Sequence, residues 1–300
     1  MIYAMGRSAL KRLTQRDIEA KFPGAEMLLA LYRTDPEVVK KILPKPLKPY
    51  REPLVMAFIA RYPATNFGCV YNEGALCLFA TYNGEVGGYC VAMPVTDDMA
   101  MVAGREVHGF PKKIAEEISL ERTGNTVHGR VVRKGSEIMR MSCELTEKAT
   151  LSDYTGLFPD ANAEARDLKG KPCIRLVSFL FKFFLASSQV GFDYVPRLVR
   201  QVSLFRPRED LMKGPGEVVL SSSPYDPLGE VPVRKVEMIG YGTYDNDMLP
   251  GRVVGRAWNL WKFLPHAVFK TDFLYTFPEQ GDVPKGLADA WRRRRLMKKY

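Results

Sequence analysis

Residues Ala103–Lys113 read AGREVHGFPKK, and the prediction of the fold starts from them. A Gly-Phe-Pro bend leads into two adjacent lysines, and apolar segments lie on both sides of this stretch. Pro111 fixes its own φ and keeps Phe110 out of the helical region, so the backbone is rigid where it delivers Lys112. A lysine pair is most often a solvated turn, because lysine is rarely buried without a partner. The alternative is that one of the two amines is a nucleophile.

An extended segment after this bend would separate the two amines. Successive side chains of a strand point to opposite faces. Lys112 and Lys113 would then face different surroundings, and only one of them could line a given pocket.

The flanking sequence alternates short apolar stretches with glycine turns. Asn83-Gly84, the strongest short hairpin signal, separates Leu76–Tyr82 from Val86–Val95. The other predicted strands are Ile118–Arg122 and Thr126–Arg133, which flank Gly124-Asn125, together with Glu26–Arg33, Leu54–Tyr62, Glu137–Leu145, Leu198–Phe205, Glu217–Ser222 and Val233–Tyr241. This pattern predicts a mainly β fold of the α+β type, in which an antiparallel sheet closes into a barrel with a few peripheral helices.

Helices and loops are predicted between these strands. Ser8–Phe22 reads as an amphipathic helix, Asp35-Pro36 opens a helix that runs through Leu43, and Asp97–Val107 reads as a helix leading toward the lysines. Asp153–Lys171 is polar with scattered glycine and proline, and we expect a surface loop there. The apolar stretch Ile174–Phe192 is interpreted either as a helix at the mouth of a pocket or as a subunit contact.

The excess positive charge lies mostly at the end of the chain. The net charge is +10, and residues 291–300 hold six basic side chains and no acid, which leaves +4 for the rest. We therefore divide the chain into one domain, residues 1–275, and a basic tail, residues 276–300, in which Leu287–Lys299 reads as helical. The run Arg292–Lys299 is interpreted as a solvated end, with an arm for a partner subunit, an anionic membrane or nucleic acid as the alternative. We expect neither a nucleic-acid nor a membrane partner.

Composition argues against several further classes of protein. The five cysteines are widely spaced without a Cys-x-x-Cys pair, which disfavours disulfides or a zinc site and favours a reducing cytoplasm. Three histidines without paired spacing predict no metal site. Residues 1–21 lack a secretory apolar run, and Ile174–Ala186 is too short to span a bilayer. No dinucleotide-binding, P-loop or Gly-x-Ser-x-Gly motif occurs, so no cofactor is expected.

Four blocks of sequence resemble the acetoacetate decarboxylase family. The lysine stretch resembles the family's signature through Gly104–Glu106 and Phe110–Lys113. The other blocks stand in matching order within residues 25–250, and they are Leu31–Asp35, Glu52–Val55, and Ser223–Leu228 followed by Val231–Val233. The resemblance implies a cone-like β-barrel whose interior houses a reactive lysine that forms a Schiff base with a ketone. It thereby implies that Lys112 is the nucleophile, that the partner is a small ketone or keto acid, and that the protein is a homo-oligomer.

The chemistry requires a neutral amine, because only a neutral amine attacks a carbonyl carbon. A free lysine has a pKa of about 10.4, so roughly one in 2,500 is neutral at pH 7. Lysines with a pKa of about 5–6 are known where burial disfavours the ammonium. We expect desolvation of Lys112 to be the main source of its reactivity, since Lys113 faces away if the segment is extended.

Glu73 is the candidate for proton transfer, which a carboxylate must perform in such a reaction. It stands in Tyr71–Gly74, YNEG, at the position that matches an active-site glutamate of the family. The alternative is a solvated carboxylate in a turn before Gly74.

Two positions depart from the pattern of the family's decarboxylases. Ala25 stands where they carry an arginine, and Phe58 stands where they carry a second glutamate. These changes disfavour acetoacetate as the substrate. A pocket lined by Phe58 is more apolar and suits a larger or uncharged ketone.

The remaining pocket candidates are neighbours of Lys112, namely Phe110, Lys113, His108, Arg105 and Glu106. Arg105 and Glu106 belong to the signature, but they are interpreted mainly as structural, pairing with backbone or with each other. His108 is either a proton donor or a turn residue.

Three functions remain open from the sequence. The first is a Schiff-base lyase that decarboxylates a β-keto acid. The second is an aldolase-dehydratase or cyclase that acts on pyruvate-like keto acids through the same imine on Lys112. The third is a non-catalytic small-molecule binding protein built on the same barrel.

Overall fold

The computed structural model describes residues 4–13, 19–162, 165–187 and 191–272. The strands of this part are β1 (Ala20–Arg33), β2 (Lys48–Pro49), β3 (Leu54–Tyr62), β4 (Tyr71–Tyr82), β5 (Glu85–Val95), β6 (Lys112–Ile114), β7 (Glu117–Thr123), β8 (Thr126–Arg133), β9 (Ser136–Glu144), β10 (Glu147–Ala149), β11 (Ile174–Lys182), β12 (Arg197–Pro207), β13 (Leu211–Lys213), β14 (Gly216–Leu220), β15 (Lys235–Met248) and β16 (Arg252–Arg256). The α-helices are α1 (Arg7–Leu13), α2 (Pro36–Ile42), α3 (Asp98–Val102), α4 (Leu151–Thr155), α5 (Pro159–Asn162) and α6 (Leu260–Ala267). A π-helix (Ala103–His108) continues α3, and short 3₁₀ turns lie at Leu228–Glu230 and Val268–Lys270.

Seven strands close into a barrel, in the order β15, β1, β3, β4, β5, β11, β12 and back to β15. Every neighbouring pair in this ring is antiparallel except β5 and β11, which pair in parallel at Gly88 and Ser178. The prediction of a mainly β barrel with a few helices is therefore confirmed, with one parallel pairing that the sequence did not indicate.

A second sheet, in the order β14, β9, β8 and β7, packs against the outside of the barrel wall. Strand β3 contributes to both layers. Met56 and Phe58 belong to the core inside the barrel, whereas Ala57 and Ile59 belong to the core between the barrel and the second sheet. Because both faces of β3 are covered, the strand is apolar along almost its whole length.

The two predicted hairpin turns differ in backbone conformation. Gly124-Asn125, between β7 and β8, has a positive φ at Gly124 alone, of 60°, whereas Asn83 and Gly84 have φ of 50° and 82° between β4 and β5. Lys134 and Gly135, between β8 and β9, form a similar turn with φ of 50° and 72° that was not among the predicted ones. Positive φ at both central residues gives a turn whose twist matches the flanking strands. The turn chemistry thus fixes which strands are neighbours.

Two predicted elements near the ends of strands differ in the structure. The helix predicted at Ser8–Phe22 is present over Arg7–Leu13, but its last predicted residues, Ala20–Phe22, pair with β15 and begin β1. The loop predicted at Asp153–Lys171 includes part of α4 and α5. Thr150 and Asp153 form a capping box that supports α4, a helix start signal that the sequence reading overlooked.

The stretch Ile174–Phe192 begins with a strand, β11, so the prediction of a helix is wrong for that part, and the alternative of a subunit contact stays a prediction. Strand β11 hydrogen-bonds to β12 along its length and to β5 on its other side. None of the helices in the described ranges has the length and apolar character needed to cross a bilayer. The predicted basic tail at 276–300, with its helix at 287–299, lies outside the described residues.

Candidate active site

The interior of the barrel holds a cavity of about 590 Å³ that opens to the surface beside Met99 and Val107. Its wall is mainly apolar and includes Phe22, Met56, Phe58, Met93, Leu176 and Phe205. The only basic side chains that line it among the described residues are Lys112 and His108. A cavity of this size with few polar groups is typical of a site for a small organic molecule.

Lys112 is the first residue of β6, which pairs in parallel with β5 beside Met93. Its side chain lines the cavity and is only 6% exposed. Nζ lies 2.7 Å from Oε2 of Glu73 and donates to the hydroxyl of Tyr71 at 3.4 Å. The ring of Phe110 lies 6.0 Å away on another side. The amine is therefore held in a largely apolar enclosure with a single carboxylate next to it.

Glu73 lies on β4 and is 4% exposed, so it is buried rather than part of a solvated turn. Tyr71 lies two residues before Glu73 in β4, so the two side chains point to the same face of the sheet. The hydroxyl of Tyr62 donates to Oε1 of Glu73 at 3.4 Å. Burial raises the pKa of Tyr62 and of Tyr71 well above the usual value, and the charge of Glu73 is the second cause. Both hydroxyls therefore remain protonated at neutral pH.

The π-helix Ala103–His108 forms the wall beside the Lys112 side chain. A Cβ on Gly104 would lie 2.6 Å from Cδ of Lys112 and 2.7 Å from its Cε, so a glycine is needed for the lysine to reach the cavity. Gly109 ends the helix with φ of 96°, where a Cβ would lie 2.7 Å from the backbone nitrogen of Lys182. The predicted helix Asp97–Val107 thus exists but changes to the wider π form at Ala103. Wide turns of this kind are frequent at functional sites.

His108 is the last residue of the π-helix, and its side chain lines the cavity. Its Nδ1 is buried and has no hydrogen-bond partner among the described residues. The pKa of His108 is lowered to about 4, mainly by burial and secondly by repulsion from Lys112 and Lys182. The imidazole is therefore neutral at pH 7, and it can take part only through its neutral ring nitrogens.

The structure brings five of the predicted site residues together around one cavity, and these are Lys112, Glu73, Phe58, Phe110 and His108. The other three do not line it. Lys113 turns to the opposite side of β6, Arg105 faces a second cavity, and Glu106 is exposed at the surface. Ala25, at the position where the family's decarboxylases carry an arginine, is fully buried in the interior core.

The sequence reading missed several polar residues of the cavity. Tyr71 carries a usable signal, because it lies two residues before Glu73 in a strand. Ser178, Ser203 and Asn246 lie on β11, β12 and β15, and only the closed barrel brings them to one place. Oδ1 of Asn246 is buried with no hydrogen-bond partner in the described part of the chain. It is an acceptor available to a polar group of a ligand.

Lys113 belongs to a buried ionic network on the other side of β6. It pairs with Asp226 and, at 3.3 Å, with Asp272. Arg133 contacts the same two carboxylates, with Nη1 2.5 Å from Asp226. Two cations and two carboxylates therefore neutralise each other. The network ties β6 and β8 to the loop before the turn at Leu228–Glu230 and to the end of the described chain.

Replacing Asp226 with alanine should lower the free energy of unfolding by about 3–5 kcal/mol, because the two buried cations Lys113 and Arg133 would keep only Asp272 as a counter-charge. Chemical denaturation of both proteins measures this difference. Glu117→Gln is the matched control, since its ion pair with Arg130 lies at the surface and should contribute little. Equal midpoints for wild type and Asp226→Ala would show that the network does not stabilise the fold.

In the described ranges, no group of three histidine, cysteine, aspartate or glutamate side chains is placed to hold a metal ion. The five cysteines are buried free thiols.

Comparison with known proteins identifies relatives in sequence and in fold. The family described as acetoacetate decarboxylase matches residues 7–257. An acetoacetate decarboxylase of Burkholderia multivorans is 44% identical over 96 residues, which are 32% of this chain and 38% of that protein. One of Paraburkholderia phytofirmans is 38% identical over 108 residues, 36% of this chain and 42% of that protein. The match thus spans less than half of these relatives' length.

Solved structures show the same fold at low sequence identity. An acetoacetate decarboxylase of Legionella pneumophila is 21% identical, with a TM-score of 0.67 over 79% of this chain and 87% of that one. The enduracididine biosynthesis enzyme MppR, complexed with pyruvate, is 16% identical, with a TM-score of 0.65 over 84% of this chain and 95% of that one. The family match covers most of the chain, and the fold agrees with that of solved members of the family. The chain belongs to the acetoacetate decarboxylase family.

Proposed function

We propose that this protein is a carbon–carbon lyase that decarboxylates a β-keto acid through a Schiff base on Lys112. The observation that supports this most directly is the buried amine of Lys112, 2.7 Å from the carboxylate of Glu73, inside an apolar cavity. Burial in an apolar pocket is one of the ways in which a lysine is activated as a nucleophile, and Glu73 is placed to take its proton.

The proposed reaction begins with attack of the neutral amine on the ketone carbon and loss of water, which gives an iminium ion. The bond between the α-carbon and the carboxylate then breaks, carbon dioxide leaves, and the electron pair moves toward the iminium nitrogen to form an enamine. The enamine takes a proton at carbon, and water hydrolyses the resulting iminium ion. This last step releases the ketone and restores the amine.

Glu73 is the proposed proton carrier. Its Oε2 is close enough to accept a proton directly from the Lys112 ammonium, which leaves a neutral amine and a neutral acid. The same group can then protonate the departing hydroxyl, and after it takes up a second proton from water it can protonate the enamine. The hydroxyl of Tyr62 donates to the carboxyl group of Glu73, and the hydroxyl of Tyr71 accepts from the Lys112 amine, so the two tyrosines keep the acid and the amine oriented.

The proposed substrate class is a β-keto acid with an apolar chain longer than that of acetoacetate. The described lining contains no arginine, and Phe58 and Met56 form an apolar wall. A small apolar pocket of about 40 Å³ adjoins the cavity, and Met56, Phe58, Leu176 and Phe205 line both. A carboxylate that has lost its hydration shell next to an iminium ion also loses carbon dioxide more readily than a hydrated one.

A series of straight-chain β-keto acids tests this substrate class through release of carbon dioxide. We expect kcat/KM to rise about fourfold for each added methylene, at about 0.8 kcal/mol per buried CH₂, until the cavity is filled. Phe58→Ala should shift the preferred length upward by opening the adjoining pocket, whereas Val253→Ala, on the surface, should leave it unchanged. A preference for acetoacetate over all longer acids would contradict the proposal.

The second candidate is an aldolase-dehydratase or cyclase that acts on a pyruvate-like keto acid. Ala25 and Phe58, which replace the arginine and second glutamate of the family's decarboxylases, favour it. So does the fold likeness to MppR, which has been solved with pyruvate and with the condensation product of pyruvate and imidazole 4-carboxaldehyde. Incubation with pyruvate and an aldehyde distinguishes the two reactions, because condensation releases no carbon dioxide. Saturable binding of ketones without any product would instead indicate a binding protein.

The proposal includes a cytoplasmic location and assembly into homo-oligomers, as the family resemblance implies. Five free thiols are compatible with a reducing compartment. Trp258 and Trp261 are 73% and 84% exposed, and such exposed tryptophans are typical of surfaces that bind another protein. Sedimentation velocity of the purified protein would establish whether it is a monomer.

A further inference from the structure

A second cavity, of about 680 Å³, lies on the other side of the π-helix Ala103–His108. It shares no described lining residue with the cavity of Lys112. Among the described residues, five basic and two acidic side chains line it, so this part of its lining carries an excess of positive charge. The proposed lyase reaction makes no use of this cavity.

Part of this charge is already neutralised. Lys113 and Arg133 are paired with the carboxylates of Asp226 and Asp272 in the buried network. Lys134 lies over the ring of Tyr225 and 3.9 Å from Asp272. Two basic residues of the lining, Lys270 and Arg105, remain without an acidic partner in the described part of the chain.

Lys270 is the more deeply buried of these two residues, at 7% exposed. Its Nζ donates to the carbonyl oxygen of Phe181 at 2.9 Å and lies 4.4 Å from the centre of the Phe183 ring. Burial, and next repulsion from Arg105 and Lys182, lowers the pKa of Lys270 to about 7. An ammonium in this place is therefore destabilised by its own neighbours, and a bound negative charge would offset that cost.

Arg105 lies on the π-helix and is half-buried. Its guanidinium contacts only the sulfur of Met101, at 3.8 Å, as a hydrogen-bond partner within the described residues. A guanidinium presents paired N–H donors that match the two oxygens of a carboxylate or phosphate. Phe183, Leu185 and Ile114 supply an apolar wall in the same cavity.

We propose that this cavity is a separate binding site for an organic anion, whose carboxylate or phosphate lies between Arg105 and Lys270 and whose apolar part contacts Phe183 and Leu185. The site does not depend on the lyase reaction. It lies one helix away from Lys112, because Gly104 and His108 face the first cavity and Arg105 faces the second.

Isothermal titration of the full chain with hexanoate tests the site, with hexanamide as the neutral analogue of the same shape. We expect hexanoate to bind at least tenfold more tightly than hexanamide. Inorganic phosphate, added as a competitor, establishes whether the site prefers a carboxylate or a phosphate group. Binding at the new site should persist in Lys112→Met, which removes the amine of the first cavity.

Arg105→Gln and Lys270→Gln should each weaken hexanoate binding at least tenfold, whereas Lys262→Gln, on the exposed face of α6, should not. Arg105 is partly exposed, so its variant should keep the wild-type unfolding temperature even if Lys270→Gln does not fold. Equal affinity for hexanoate and hexanamide would overturn the proposal. So would hexanoate binding that is lost in Lys112→Met but unchanged in Arg105→Gln.

Discussion

Replacing Lys112 with methionine should reduce kcat by about 10⁴-fold or more for every keto acid that the wild-type protein converts, a loss of more than about 5 kcal/mol of transition-state stabilisation. Methionine has a similar length and fills the same apolar space, so the barrel should remain folded. What disappears is the nitrogen that forms the iminium ion. Steady-state release of carbon dioxide, with circular dichroism to verify the fold, measures the effect.

Lys113→Met is the matched control for this experiment. Lys113 is equally buried, but it lies on the other side of β6 and pairs with Asp226 and Asp272. This variant should keep the ability to form the imine and should lose stability, because it breaks the ionic network. If Lys113→Met abolished catalysis while Lys112→Met retained more than a few percent, the roles of the two lysines would be the reverse of those proposed.

Replacing Glu73 with glutamine should lower kcat by about 10²–10⁴-fold, the range over which a positioned acid–base group usually contributes. The amide keeps the shape and can still accept from Tyr62, but it cannot take the proton of the Lys112 ammonium. Glutamine at this position also leaves that ammonium buried without a counter-charge.

A conservative replacement separates this role from a structural one. Glu73→Asp should retain more activity than Glu73→Gln, because it keeps a carboxylate. Glu116→Gln is the control, since Glu116 is exposed and outside the cavity of Lys112. Wild-type turnover in Glu73→Gln at neutral pH would exclude Glu73 as the proton carrier.

Local sequence signals predicted most of the barrel. Glycine turns such as Asn83-Gly84 determine which strands are neighbours, and their effect does not depend on distant residues. The same alternation that defines a strand predicted that Lys112 and Lys113 would face different surroundings, as the structure has it. Strand β11 was missed because a strand covered on both faces has no alternation, and a short apolar run then resembles a buried helix.

The candidate site was predicted less completely, because its parts come from distant stretches of the chain. Glu73 and Lys112 were reached through the family resemblance, and no local signal places their side chains 2.7 Å apart. Asn246 and Ser203 enter the cavity only because β12 and β15 close the barrel. The partners of Lys113 could not be predicted either, since Asp226 and Asp272 lie more than 100 residues away along the chain.

The proposed chemistry depends on an imine between the Lys112 amine and a ketone inside the barrel. Reduction with borohydride in the presence of a converted keto acid traps such an imine, and digestion followed by mass spectrometry locates it. We expect one reduced adduct on the peptide that carries Lys112, and none in Lys112→Met. An adduct on Lys113 or Lys270 instead, or turnover with no trapped adduct at any lysine, would contradict it.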